Sequence, residues 1–164
     1  MGGHVIERNL IFNTCRESGD HGAINTWDRQ PFLHSEGGTA SFAPLPIVVQ
    51  DNFIIANYGS SQGIDNDDGS SFYRIRRNVF YSADGFKMDY GGHDSTFSDN
   101  LVIGQANGYD GQACVNVGSF LEQHGDTISN NTCVVRGSRN PGDVDLMARL
   151  AQCSARRVHL EGNK

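Results

Sequence analysis

The densest gathering of reactive side chains lies in two similar stretches, Gly63-Ile-Asp-Asn-Asp-Asp-Gly69 and Gly85-Phe-Lys-Met-Asp-Tyr-Gly91. They carry Asp65, Asp67, Asp68, Lys87 and Asp89. On neighbouring strands ~4.8 Å apart, Asp67 and Asp89 would hold their carboxylates about 5–6 Å from each other. That is near the ~5–5.5 Å of an acid/base and nucleophile pair that cleaves a glycosidic bond with retention. Like charges held that close favour keeping one proton between them, which general acid catalysis needs. Lys87, opposite Asp65, balances the charge or acts as base in β-elimination from a uronic acid. The structural alternative is a surface ladder of carboxylates screened by water.

Further groups flank the cluster. His93-Asp94 follows on a glycine turn, and Asp20-His21 is the comparable pair earlier in the chain. A histidine there suits proton shuttling, although a turn histidine bonded to its own backbone is the more ordinary case. The catalytic candidates are therefore Asp67, Asp89, Lys87 and His93. Candidates for holding a substrate are Asp65, Trp27, Arg29, Tyr90 and His21. Trp27, Tyr90 and Phe72 offer faces for sugar rings, whereas aromatics in strands are more often core. Asp65, Asp67 and Asp68 also suit Ca²⁺, which takes several oxygen ligands. The run from Asp65 opens like an EF-hand loop, but Gly69 stands at its fifth position and no flanking helices are expected. The chemistry requires no other cofactor.

The elements that must position these groups are repeats. Ile6-Glu-Arg-Asn-Leu-Ile-Phe12, Val49-Gln-Asp-Asn-Phe-Ile-Ile55, Ile75-Arg-Arg-Asn-Val-Phe-Tyr81, Phe97-Ser-Asp-Asn-Leu-Val-Ile103 and Ile128-Ser-Asn-Asn-Thr-Cys-Val134 align on one asparagine. The asparagines, at 9, 52, 78, 100 and 131, are 43, 26, 22 and 31 residues apart. A short unit of this kind with variable insertions reads as the rung of a solenoid. Each rung turns sharply between strands, and Asn tolerates the left-handed conformation such a turn needs. Stacked amides can bond along the solenoid as an Asn ladder.

A second strand per rung follows from spacing. Gly63 and Gly85 each stand 15 residues before the asparagine of the following repeat. This sets Ile64 on Phe86, Asp65 on Lys87, Asn66 on Met88 and Asp67 on Asp89. Alternation turns Ile64, Asn66, Phe86 and Met88 inward and the charged residues onto one exposed outer face. Gly22–Asp28 and Cys114–Gly118 look like the same strand one rung earlier and one later. The excess length around residues 30–46 reads as a loop beside that face, or else as a hidden extra rung. Residues 1–138 form the solenoid. Residues 139–164 form a cap or tail in which Asp143 to Arg157 shows a helical stripe of Val144, Met147, Leu150 and Ala151.

The Asn-centred repeat resembles right-handed parallel β-helix proteins of the pectate-lyase-like superfamily. The stretches 19–32, 63–73 and 84–94 are similar to motifs in secreted β-helix proteins grouped with carbohydrate-active enzymes. The resemblance covers roughly residues 4–135. It implies an all-β, right-handed parallel β-helix of about five rungs, with a polysaccharide or oligosaccharide lying along stacked strands and an extracellular or cell-surface setting. The activity implied is glycoside hydrolysis, or polysaccharide cleavage or epimerisation by a lyase-type mechanism. The paired acidic motifs and Arg-x-Lys of polygalacturonases are missing in recognisable form, so no pectinase set carries over. The alternative is a non-catalytic module that binds glycans or builds a structure, a piece of something longer included.

Composition fits this reading. The chain has 164 residues, 37% of them hydrophobic, with 20 Gly and only 4 Pro. Gly, Asn, Asp and Ser fall between short apolar runs, a pattern of many tight turns. No run approaches the ~20 apolar residues of a bilayer span, so membrane insertion is not expected. The net charge of −6 repels phosphate backbones and argues against nucleic acid. No signal sequence opens this chain. Cys15, Cys114, Cys133 and Cys153 show no metal-type spacing and read as buried thiols.

Overall fold

The computed structural model describes residues 2–27, 45–58, 62–88, 92–104, 114–117, 125–134 and 159–161. They wind into a parallel β-helix. The first rung is β1 (Val5–Glu7), β2 (Leu10–Phe12) and β3 (Ile24–Trp27). The second is β4 (Ile47–Gln50), β5 (Phe53–Ile55) and β6 (Ile64–Asp67). The third is β7 (Tyr73–Arg76), β8 (Val79–Tyr81) and β9 (Phe86–Met88), and the fourth β10 (Thr96–Ser98), β11 (Leu101–Ile103) and β12 (Val115–Val117). A fifth rung holds β13 (Thr127–Ser129) and β14 (Thr132–Val134), after which β15 (His159–Glu161) pairs in parallel with β13.

Equivalent strands stack into three parallel sheets. The first is ordered β1-β4-β7-β10-β13-β15, the second β2-β5-β8-β11-β14 and the third β3-β6-β9-β12. Because β1 pairs with β4, β2 with β5 and β3 with β6, no extra rung separates the first two. The surplus residues are an insertion. Residues 28–44 themselves lie outside the described residues, as does the expected helix at 143–157. The strand β15 falls within the segment expected as cap or tail.

Short strands fix the side-chain pattern. In the three-residue strands of the first and second sheets the middle side chain faces the interior and its neighbours face out, whereas in the third sheet the first residue of each strand faces in. Ile6, Val49, Ile75, Phe97 and Ile128, each three residues before a ladder asparagine, stack in register in the first sheet. Ile54, Phe80 and Val102 do so in the second, and Ile64, Phe86 and Val115 in the third. From Val49 onward these columns are buried. Phe86 stacks on Phe97 with ring centroids 5.4 Å apart, so the first and third sheets meet at the core centre.

The asparagine ladder runs through all five repeats. The Oδ1 of Asn52 accepts from both the backbone N–H and the side-chain amide of Asn9, at 3.0 Å each. The pattern repeats from Asn52 to Asn78, from Asn78 to Asn100 and from Asn100 to Asn131. The amides of Asn52, Asn78, Asn100 and Asn131 also donate to the carbonyls of Ile6, Val49, Ile75 and Phe97. One detail corrects the sequence reading. The left-handed residue is the one before each asparagine, namely Arg8, Asp51, Arg77, Asp99 and Asn130, with φ of 53–57°. The asparagine ties the turn together from the inside, and its predecessor makes the bend.

The cysteine expectation is corrected too. Cys114 and Cys133 form a disulfide across 19 residues, with Cα atoms 5.8 Å apart. Cys133 lies in β14 and Cys114 precedes β12, so the bond ties the third sheet to the second. Cys15 is a free thiol, and Cys153 lies outside the described residues.

Candidate functional site

The third sheet carries the site. The pairing of β6 with β9 sets Ile64 on Phe86, Asp65 on Lys87 and Asn66 on Met88. One rung earlier, β3 puts Asn25 beside Asp65, Thr26 beside Asn66 and Trp27 beside Asp67. The expected register is present over these three pairs, while Asp89, expected opposite Asp67, lies outside the described residues. Asn66 does face inward, where it accepts a hydrogen bond from Thr26 Oγ1 at 3.1 Å.

The expected exposure is not. Asp65 and Lys87 point away from the apolar column yet are buried, with side chains 0% and 10% exposed. Lys87 Nζ lies 3.2 Å from Asp65 Oδ1 and 3.3 Å from Asp67 Oδ1. The ammonium thus lies over the inner carboxylate and reaches the outer one. Asp67, with 28% of its side chain exposed, is the member of this trio that solvent reaches. A charge trio removed from water costs several kcal/mol of desolvation per ion, which its mutual attraction only partly offsets.

Trp27 stands at the edge of this trio with 61% of its surface exposed. Its indole Nε1–H donates to Asp68 Oδ2 at 2.9 Å. Asp68 is buried in the turn after β6, at φ 32°. The turn thus pins an aromatic ring in the open beside Asp67. Asp65 and Asp67 face Lys87 while Asp68 faces Trp27. Among the described residues no group of three acidic, histidine or cysteine side chains converges as a metal site.

His93 belongs to the turn one rung further on. Its backbone N–H donates to Ser71 Oγ at 3.1 Å, and its carbonyl accepts from Phe72 N–H. The ring is nearly buried and meets Phe72 edge-on at 5.2 Å. Nδ1 lies 2.6 Å from Asp94 Oδ2. His93 is thereby seated on the turn that holds Asp68, but its Nδ1 is committed to Asp94. His21 is exposed near the start of β3. Asp89, Tyr90 and Arg29 lie outside the described residues.

The structure adds a residue that sequence reading missed. Asp126, directly before β13, is buried and accepts the Ser95 N–H at 2.8 Å. Burial pushes its carboxyl up to about 7, and nearby Asp94 adds to the rise while the Ser95 N–H and Arg74 oppose it. Arg74 donates to the Asp94 carbonyl at 2.7 Å. A lone aspartate before a strand gives no sequence signal of such a position.

No family model, curated protein or solved structure matches the chain.

Proposed function

We propose that the chain acts on a polysaccharide that lies across the third sheet, with Trp27 as the ring platform and Asp67 as the group presented to the sugar. The observation that carries this reading is the juxtaposition just described. An exposed indole is fixed by its own N–H beside a carboxylate that a buried lysine holds in place. Apolar sugar faces stack on such a ring while their hydroxyls reach the neighbouring carboxylate. Asp67 serves as acid/base or nucleophile, with Asp89 as the second carboxylate expected from sequence. Lys87 sets the charge balance, Asp65 is its buried counter-ion, and His93 assists from the adjoining turn. The disulfide supports an extracellular or cell-surface setting, since such bonds persist in oxidising compartments.

A second reading is glycan binding without catalysis. It is favoured by the burial of Asp65 and Lys87, which leaves Asp67 as the trio's one reachable charge. The test is a screen of acidic and neutral polysaccharides that follows both reducing ends and the absorbance of unsaturated uronates. Reducing ends alone identify a hydrolase, and both signals a lyase. Binding without either identifies the non-catalytic module. Absence of both binding and turnover on every polysaccharide overturns the proposal.

A further inference from the structure

The second sheet presents an outer face of a different character. Its ten outward residues form two columns in register. One is Leu10, Phe53, Val79, Leu101 and Thr132, and the other Phe12, Ile55, Tyr81, Ile103 and Val134. None is charged, and only Thr132 and the Tyr81 hydroxyl are polar. Leu10 is 60% exposed, Phe12 57%, Phe53 42%, Tyr81 39% and Val134 43%. The first and third sheets, by contrast, carry Glu7, Arg74, Arg76, Asp65 and Lys87 on their outward positions. A continuous apolar face of this kind reaches the upper end of the largest apolar patch that a lone domain ordinarily leaves in water.

We infer that this face is a self-association surface on which two copies of the chain pack sheet to sheet. Area is the first argument. An aromatic side chain has ~150–250 Å² to hide. At these exposures the columns offer on the order of 600 Å² per chain, and two such faces reach the ~1,200 Å² at which stable interfaces begin. Charge is the second. The chain carries −6 overall, which opposes association of like copies wherever charges meet, and this face holds none.

Shape supplies the geometry. Bulk tapers along the solenoid, from Leu10, Phe12 and Phe53 at one end to Thr132 and Val134 at the other. A two-fold axis parallel to β8 sets β2 on β14 of the second copy and β5 on β11. The bulky end of each copy then meets the slim end of the other, at the ~10 Å spacing of packed sheets. Phe53 comes to lie opposite Leu101 of the second copy.

Sedimentation equilibrium of the whole chain tests this, with circular dichroism to follow folding. The unmodified chain is expected to be a dimer. F53E and L101K, each on an outward position, should weaken association by on the order of a hundredfold and leave the strand signal intact. Combining F53E with L101K in one chain should restore the dimer, because the symmetry puts the two positions opposite each other. A monomer at every attainable concentration would overturn the inference. So would a dimer that survives both single variants, or a failure of the combined variant to recover while its strand signal persists.

Discussion

Lys87 spans two carboxylates of unlike exposure, 3.2 Å from Asp65 and 3.3 Å from Asp67. Asp65 is wholly buried and Asp67 is not. The outer carboxylate is therefore held by a cation that is itself anchored from behind. That anchoring sets the direction of the acidic group without a rigid loop.

Removing the cation should expose the cost of the arrangement. Lys87→Met leaves the buried Asp65 carboxylate without its lysine, and loss of about 3–5 kcal/mol of stability is expected. Replacing both groups, as Lys87→Met with Asp65→Leu, should recover most of that loss, since an apolar pair of similar bulk is often no worse than a buried ion pair. Denaturant midpoints of the three chains measure this. Equal destabilisation in the single and double variants would mean that the ion pair stabilises this strand pairing beyond what an apolar pair supplies.

The ladder makes a graded prediction. Asn78 accepts from Asn52 twice and donates to Val49, Arg76 and Asn100, all near the core. Asn78→Ala should cost roughly 3 kcal/mol through lost bonds and orphaned buried groups. Asn9 is exposed and, among the described residues, takes part in the ladder only as donor to Asn52, so Asn9→Ala should cost about 1 kcal/mol or less. Thermal unfolding that showed the two alike would speak against a ladder running inward.

Much of this fold was legible because stacking makes neighbours chemically equivalent. The apolar residue three before each asparagine marks an interior column, and a constant 15-residue spacing placed Asp65 against Lys87 correctly. Alternation told which way the side chains point, but not what solvent reaches. Asp65 and Lys87 face outward and are buried nonetheless, because burial on an outer face depends on what covers it. Left-handed φ at Asp51 or Arg77 also escaped the reading, since the asparagine beside them is the residue type that usually signals such a bend. The Cys114–Cys133 bond joins two sheets, and no local spacing reports a contact made by winding around the solenoid.

Acidity should stabilise one corner of the molecule. Asp126 titrates at about 7 in the folded chain, raised mainly by burial, against an ordinary value of ~3.9. Between these values the folded state holds a proton that the unfolded state has lost. Its contribution to stability is thus fully present below about pH 4, falls as pH rises, and is gone above about pH 7. The span corresponds to an order of magnitude of 4 kcal/mol. Asp126→Asn keeps an acceptor for Ser95 and should flatten this segment of the stability–pH curve. A curve of unchanged slope in the variant would assign the dependence elsewhere.

The disulfide closes a loop of 19 residues between the third and second sheets. Cys133→Ser should lower stability by about 2–4 kcal/mol. Reduction should lower the melting midpoint of the unmodified chain and leave that of the variant unmoved. A midpoint indifferent to reductant would show that strand stacking alone carries this end of the solenoid.

The site prediction separates binding from chemistry. Trp27 is mostly exposed and its ring supports little of the core, so Trp27→Ala should cost about 1–3 kcal/mol, chiefly through the hydrogen bond that buried Asp68 loses. It should weaken glycan binding by roughly tenfold through loss of the ring face. Trp27→Phe keeps the face and loses the N–H to Asp68, so part of the binding should return. Asp67→Asn retains an oxygen for Lys87 and should leave both folding and binding close to normal. If the face is catalytic, however, that change removes turnover, because one of two cooperating groups is gone. Titrating each variant with a polysaccharide found in the screen, beside turnover, reads the two effects apart. Full binding in Trp27→Ala together with full turnover in Asp67→Asn would move the site off the third sheet altogether.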